Sequence, residues 1–253
     1  FDAVIQSSIE MVVDWLRVGF IHGVMNTDNM SIDGETFDYG PCAFINYYDE
    51  ETVFSAIDKN GRYTFGNQRP ILRWNLERFA KALQPLCTQS ALTYDELEDK
   101  LDEFEDRFDA HYYTMMRKKL GINSDGEDEL VDDFLEWLRK SNADYTNTFL
   151  ELETPGTFDD PVFVTTEFEQ LQNKLNAVGL NEELMQEANP RYIPRNYLVE
   201  EALGAYLETG DLSKFKRLLT VLETPYTSKD VGSQFQQPPS REFDAEYTTY
   251  CNT

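Results

Sequence analysis

Two side chains with hard oxygen atoms, Asn29 and Asp38, flank an Asp33-Gly34 pair near the start of the chain. An Asp-Gly pair is typical of the tight turn that joins two antiparallel strands. We therefore expect a hairpin that places the Asn29 amide beside the Asp38 carboxylate, where both could bind one Mg²⁺ ion. Because Mg²⁺ commonly holds nucleotide phosphates in proteins, the pair predicts a magnesium-dependent nucleotide site.

The residues around this pair form two recognisable motifs. Residues 22–29 read His-Gly-Val-Met-Asn-Thr-Asp-Asn, and residues 38–41 read Asp-Tyr-Gly-Pro. The arrangement resembles a kinase catalytic loop followed by its metal-binding aspartate. In kinase-like small-molecule phosphotransferases the loop begins His-Gly-Asp, whereas Val24 occupies the aspartate position here and cannot accept a proton. Asp28 stands immediately before Asn29, so the loop retains both predicted metal ligands while its acid has moved along the chain.

The loop and several further segments together resemble the selenoprotein O family, whose members are kinase-fold proteins that transfer AMP to protein hydroxyls. The further segments are residues 61–70, 74–76, 189–191 and 195–198. Family members carry a nucleotide-binding N-terminal lobe, and we expect that lobe to precede Phe1 and to be absent from this chain.

The resemblance implies a protein adenylyltransferase whose substrates are ATP and the Ser, Thr or Tyr hydroxyls of proteins. Asp28 would then be the general base, while Asn29 and Asp38 would bind Mg²⁺, or Mn²⁺ in its place, together with the nucleotide. The isolated chain is expected to be inactive. Three alternatives stay open: a γ-phosphoryl kinase, a non-catalytic pseudokinase scaffold, and a loop whose polar residues only satisfy turn geometry. Asp28 could also serve only to orient the metal or the loop.

Two cysteines form a further candidate pair by the same resemblance. Cys42 follows Asp38 closely, and Cys251 stands third from the end, at a position that is selenocysteine or cysteine in the family. A disulfide between them would tie the tail over the site and act as a redox switch. The alternative is two free thiols, since cytosolic disulfides are seldom structural.

Charge restricts the partners. The chain has 47 acidic and 22 basic residues and a net charge of -25, which disfavours nucleic acid and membrane surfaces as partners. No Lys or Arg lies between Arg17 and Lys59. A triphosphate at this site would therefore need Mg²⁺ and cationic side chains from the expected N-terminal lobe, and we predict weak nucleotide binding by this chain alone.

Composition indicates a globular protein of a reducing compartment. The chain has 253 residues, 41% hydrophobic, with 17 Phe and 14 Tyr, enough to bury a substantial core. Three Cys are too few for a disulfide scaffold, and no stretch approaches the ~20 apolar residues of a membrane span. We expect a cytoplasmic protein if the source is bacterial and a mitochondrial one if it is eukaryotic.

Hydrophobic periodicity predicts the elements that position the site. A helix is expected over 2–18, ended by Gly19, followed by short strands at 30–32 and 36–38. Residues 41–66 form an irregular segment where kinases carry the activation segment, and a helix with Trp74 and Leu83 follows. Further helices are predicted at 93–120, 127–140, 143–152, 163–177, 181–188, 196–208 and 211–222, with Asp211 as the N-cap of the last.

The predicted fold is mainly α with a small β-hairpin, a protein-kinase-like C-lobe followed by a helical C-terminal extension. Residues 1–85 would form the catalytic C-lobe core, residues 86–227 the helical remainder, and residues 228–253 a loosely ordered tail. His22 is interpreted as a structural anchor of the loop backbone. For Arg62, Asn67 and Arg69, bracing of their own segment is favoured over contact with substrate.

Overall fold

The computed structural model describes residues 1–87, 93–227 and 233–250. The described chain is mainly helical, with one two-stranded antiparallel sheet, as the sequence predicts. Its helices are α1 (Asp2–Val18), α2 (Gln68–Cys87), α3 (Tyr94–Asp102), α4 (Phe104–Lys119), α5 (Asp128–Ser141), α6 (Tyr145–Glu153), α7 (Thr166–Val178), α8 (Glu182–Ala188), α9 (Asn196–Thr209), α10 (Ser213–Leu222) and α11 (Arg241–Glu246). Short 3-10 turns cover Thr27–Asn29, Pro161–Val164 and Ser233–Phe235.

Helix α1 forms the central support of the site. Its apolar stripe is buried, including Ile5, Ile9 and Val12, and packs against α4 and α2. The helix ends at Gly19, whose φ of 77° is left-handed and whose backbone N–H bonds to the Leu16 carbonyl. The predicted bounds and stop signal of α1 are both confirmed.

The sheet differs from the predicted hairpin. Strands β1 (Phe20–Ile21) and β2 (Ala43–Phe44) pair antiparallel, with Phe20 opposite Phe44 and Ile21 opposite Ala43. Residues 30–32 and 36–38 form no strands, so that prediction was wrong. The Asp33-Gly34 turn does form, with Gly34 at φ 77°. Local side chains satisfy the backbone beside it: Asp33 Oδ1 accepts from the Glu35 N–H at 3.2 Å, a bond that competes with strand pairing.

The apolar core is continuous from α1 to α8. The predicted stretch 93–120 is two helices, α3 and α4, and its apolar residues Leu97, Leu101, Phe104, Phe108 and Met115 are all buried. The capping box of Thr93 with Glu96 begins α3. The predicted helices from 127 to 222 are confirmed within a few residues, although α10 has Leu212 rather than Asp211 at its N-cap position. Asp211 still accepts from the Ser213 N–H at 2.8 Å.

The described part of the C-terminal tail is held against the segment that follows Asp38, whereas composition predicts a loosely ordered tail. Asp244 of α11 accepts a hydrogen bond from the Asn46 amide at 2.6 Å. Thr249 donates its hydroxyl to the Pro41 carbonyl at 2.8 Å, and its backbone N–H bonds to the Phe54 carbonyl. These partners are distant in sequence, so tail composition carries no sign of them. Among the described residues, no helix combines the length and apolarity needed to cross a lipid bilayer.

Candidate active site

The residues between β1 and β2, here called the site loop (residues 22–42), carry all the predicted site residues that the structure describes. Pairing of β1 with β2 brings the two ends of the loop together. Gly23 shows how closely they approach, because a Cβ atom added there would lie 2.6 Å from the Pro41 carbonyl oxygen. Its φ of 83° also lies in the left-handed region. Glycine is therefore required at this position.

The site loop has two arms, an N-terminal one that carries Asn29 and a C-terminal one that carries Asp38, and His22 joins them. Its Nε2 lies 2.9 Å from the Phe37 carbonyl oxygen, and its Nδ1 accepts from the Val24 backbone N–H at 3.4 Å. The pattern requires the neutral tautomer with the proton on Nε2. Burial lowers the pKa of His22 below its ordinary value, against the opposing effects of the Phe37 hydrogen bond and the Asp38 charge. The prediction that His22 anchors the loop backbone is confirmed.

Asn29 is oriented by its own arm of the loop. Its Nδ2 donates to the Val24 carbonyl at 3.1 Å, and its backbone N–H bonds to the Asn26 carbonyl at 2.9 Å. Because the amide nitrogen is bonded to the backbone, the remaining side-chain atom, Oδ1, is the one suited to a cation. No hydrogen bond from a described residue uses that oxygen.

Asp38 has an unusual backbone conformation. Its φ of 56° is left-handed, which is uncommon for a residue other than glycine and tends to occur at functional positions. Its side chain is exposed, and it directly follows Phe37, the residue that His22 binds. His22 thus ties together the two backbone stretches that carry Asn29 and Asp38. That both side chains bind one ion stays a prediction.

Asp28 and Val24 have opposite environments. Val24, at the position where kinase-like loops carry their acid, is buried. Asp28 lies in the exposed 3-10 turn Thr27–Asn29, where no described residue forms a hydrogen bond or an ion pair with its carboxylate. Of these two positions, only residue 28 presents a proton acceptor to solvent.

Helix α2 contacts the site loop and β1 through two buried amide side chains, Gln68 and Asn75. Neither residue was singled out from the sequence alone. Gln68 accepts from the His22 backbone N–H and donates to the Phe20 carbonyl, both at 3.0 Å. Asn75 donates to the Met25 carbonyl at 3.0 Å. The signal was present in the sequence, because these amides interrupt the apolar stripe of α2 beside Ile71, Leu72 and Leu76. A buried polar residue in such a stripe needs a partner.

Arg62, Asn67 and Arg69 each contact other residues of this chain, in line with the bracing role that the sequence favours over substrate contact. Arg69 forms ion pairs with Glu105 at 2.6 Å and Asp109 at 2.5 Å. Asn67 donates to the Gly61 carbonyl at 2.9 Å. The Arg62 guanidinium stacks on the Trp74 ring, 4.8 Å from its centroid.

The donor set fits a hydrated Mg²⁺ ion rather than an all-protein cage. The described residues contain no cluster of three or more His, Cys, Asp or Glu side chains that could hold a metal. Mg²⁺ usually takes one or two carboxylates and completes its shell with water and substrate phosphates. One carboxylate from Asp38 and one amide oxygen from Asn29 match that requirement.

Of the two cysteines predicted to pair, the structure describes Cys42. The Cys42 thiol donates to the Tyr39 carbonyl at 3.3 Å, and burial raises the pKa of this thiol. Cys251 lies outside the described residues. The disulfide between them therefore stays a prediction.

Comparison with known proteins gives a consistent family match. A family model described as protein adenylyltransferase SelO matches residues 1–174. The chain is 43% identical to a protein nucleotidyltransferase YdiU of Alkaliphilus metalliredigens, covering 99% of this chain and 53% of that protein. It is 41% identical to a protein of the same name from Pelagibacter ubique, covering 100% and 54%, respectively. The chain thus spans about half the length of the curated relatives it matches.

Proposed function

Since this chain belongs to the protein adenylyltransferase SelO family, we propose that it carries the catalytic base and the metal ligands of an enzyme that transfers AMP from ATP to Ser, Thr or Tyr hydroxyls of proteins. The family names support a nucleotidyltransferase that uses ATP. The acceptor residues and the role of each side chain belong to the proposal. We also propose that the fold is that of a kinase C-lobe.

Asp28 is assigned the role of general base. Its exposed carboxylate accepts the proton of the acceptor hydroxyl as the hydroxyl oxygen forms a bond to the α-phosphorus of ATP. The bond from the α-phosphorus to the bridging oxygen breaks, and pyrophosphate leaves. The Asn29 amide oxygen and the Asp38 carboxylate would hold Mg²⁺ or Mn²⁺, which supplies charge neutralisation to the phosphates when it is bound.

The observation that carries this proposal is the pair of hydrogen bonds made by His22. Through Val24 and Phe37, one buried neutral ring connects the arm with Asn29 to the arm with Asp38. The arrangement costs little to preserve during a reaction, because His22 and the α2 amides of Gln68 and Asn75 are buried and already bonded to backbone groups of the site loop and β1. The buried His22 and the α2 amides fix the backbone of the site loop, and the exposed carboxylates of Asp28 and Asp38 on that loop are suited to binding a cation and a nucleotide.

This chain matches about half of each relative, and we propose that the other half supplies the Lys and Arg side chains that the site loop lacks. No Lys or Arg lies between Arg17 and Lys59, while Asp28, Asp33 and Glu35 add negative charge beside Asp38. A triphosphate next to these carboxylates requires additional positive charge from elsewhere.

The test uses a polypeptide of the relatives' full length that contains this chain. It is incubated with Mg²⁺, a protein substrate, and ATP labelled at either the α or the γ position. We expect transfer of the α label, a mass gain equal to an adenylyl group, and loss of transfer in Asp28→Asn and Asp38→Ala. Glu35→Gln is the matched control, since it removes an exposed charge from the same loop and should leave transfer intact. Transfer of the γ label would indicate a phosphoryl kinase, and transfer of neither label would favour a scaffold.

A further inference from the structure

The segment 195–198, which the family resemblance includes without a role, contacts the chain just beyond the site loop. Asn196 is the first residue of α9, and its side chain is buried. Its Oδ1 accepts from the Phe44 backbone N–H at 3.0 Å, and its Nδ2 donates to the Phe44 carbonyl at 2.9 Å. One side-chain amide therefore satisfies both polar backbone groups of a β2 residue.

This contact completes the outer edge of the sheet. Ile45 donates its backbone N–H to the Gly19 carbonyl at 2.8 Å, toward β1, whereas the N–H and C=O of Phe44 point to the opposite side. Without Asn196 the backbone groups of Phe44 would form an unpaired strand edge. The amide of Asn196 occupies the place that a peptide group of a neighbouring strand would otherwise take.

Arg195, the residue before Asn196, anchors the chain at Asn46, two residues beyond Phe44. Its guanidinium is buried and donates to both oxygens of Asp144, at 2.8 and 3.1 Å, and to Asn46 Oδ1 at 2.7 Å. The backbone carbonyl of Asn46 also accepts from the Tyr145 N–H. Residues 44 and 46 are thereby anchored to the beginnings of α9 and α6.

We propose that Asn196 is a positioning residue for Asp38. The stretch that carries Asp38 is held by His22 at Phe37 and by Thr249 at Pro41. It is also held by β2, whose inner edge pairs with β1 and whose outer edge is bonded to Asn196 at Phe44. Asp38 lies between these anchors in a left-handed conformation that an untethered aspartate rarely adopts. Loss of Asn196 leaves the outer edge of β2 unpaired while the inner edge still pairs with β1, which loosens this end of the stretch and widens the range of positions open to the Asp38 carboxylate. This inference rests on the proposed function, because it assumes that Asp38 binds a divalent cation.

The test uses Mn²⁺ as a paramagnetic probe and amide hydrogen exchange, both followed by NMR on this chain. In Asn196→Ala we expect exchange of the Phe44 and Ile45 amides to accelerate at least tenfold. We also expect the Mn²⁺ concentration for half-maximal broadening of the Tyr39 resonance to rise at least fivefold. Asn196→Asp, which retains an acceptor for the Phe44 N–H but places an acceptor opposite its carbonyl, should change both quantities in the same direction.

Asn189→Ala is the matched control. Asn189 is also a buried asparagine whose amide donates one hydrogen bond and accepts one. It donates to the Lys119 carbonyl at 2.8 Å and accepts from Lys119 Nζ at 2.9 Å. Its loss should lower stability but leave Mn²⁺ binding at the wild-type level.

The outcomes distinguish a failure of the Asn196 positioning role from a failure of the proposed metal site. Unchanged Mn²⁺ affinity in both Asn196 variants, with faster exchange at Phe44, would overturn the positioning role alone. An equal loss of affinity in Asn189→Ala would also overturn it, because the effect would then be general destabilisation. Failure of the wild-type chain to bind Mn²⁺ near Tyr39 would overturn the proposed metal site, and the positioning role with it.

Discussion

The hydroxyl of Tyr63 donates a 2.5 Å hydrogen bond to Asn26 Oδ1, and so connects the irregular segment before α2 to the turn that carries Asp28. Tyr63 is buried, whereas Asn26 is exposed on the loop surface. The bond therefore restrains an exposed turn from a buried residue.

Replacement of Tyr63 by Phe should loosen this turn. We expect the free energy of unfolding to fall by about 1 kcal/mol, the usual net value of one hydrogen bond, as measured by urea denaturation. Amide exchange at residues 27–29 should accelerate. Tyr39→Phe is the control, because the exposed Tyr39 hydroxyl donates to the Thr36 carbonyl in the same loop and its loss should have little effect. Equal losses in the two variants would contradict the prediction.

His22 should make stability depend on pH. Burial lowers its pKa below the ordinary 6.5, so below that pH the unfolded chain binds more protons than the folded chain. The stabilising contribution of neutral His22 is complete above pH 6.5 and is lost as the pH falls through the lowered folded pKa. We expect His22→Gln to be less stable than the wild type at pH 7.5 and to lose less stability between pH 7.5 and 5.5. Parallel pH profiles from urea denaturation would count against this assignment.

Asp38 should show a conflict between stability and function. The left-handed φ of 56° suits glycine, and an L side chain there is unfavourable by roughly 1 kcal/mol. We therefore expect Asp38→Gly to be more stable than Asp38→Ala by about that amount, while both lose Mn²⁺ binding to the same extent. Thermal denaturation and Mn²⁺ titration measure the two effects separately. Retained Mn²⁺ binding in either variant would exclude Asp38 as a ligand.

Gly23→Ala should destabilise the chain by two mechanisms at once. The added Cβ would meet the Pro41 carbonyl oxygen at 2.6 Å, and the residue would keep a φ of 83°. Gly126→Ala separates these effects, because Gly126 has a φ of 89° with no atom within 4 Å of the added Cβ. We expect a loss of about 1 kcal/mol for Gly126→Ala and a clearly larger one for Gly23→Ala in urea denaturation. Similar losses would mean that the approach of Gly23 to Pro41 is not tight.

Calorimetry of this chain with ATP and Mg²⁺ should show weak nucleotide binding. The reason is the absence of Lys and Arg between Arg17 and Lys59 in a chain of net charge -25. Micromolar affinity would show that this chain supplies enough positive charge by itself. A polypeptide of the relatives' full length that contains this chain is the comparison, and its affinity should be higher.

Local pattern in the sequence was sufficient for most of the helices and for the identity of the candidate site residues. The apolar spacing of α1 and its stop at Gly19 depend on neighbours within one or two helical turns, so both could be predicted. Asp28, Asn29 and Asp38 could be named as candidates because their types and spacing carry chemical meaning without a fold, and their roles stay predictions. The family match agrees with the resemblance those residues suggested.

Tertiary structure alone decided how the site is supported. The sheet pairs Phe20 with Phe44 rather than forming a hairpin within the loop, where the Glu35 N–H and the Phe37 carbonyl are bonded to side chains instead of to a partner strand. Gln68, Asn75 and Asn196 each bond to backbone groups far away in sequence. The apolar stripe of α2 shows that Gln68 and Asn75 need partners, but it does not show which distant backbone groups those partners are. Candidate residues for chemistry can thus be proposed from sequence, whereas their anchors arise from contacts that exist only once the chain has folded.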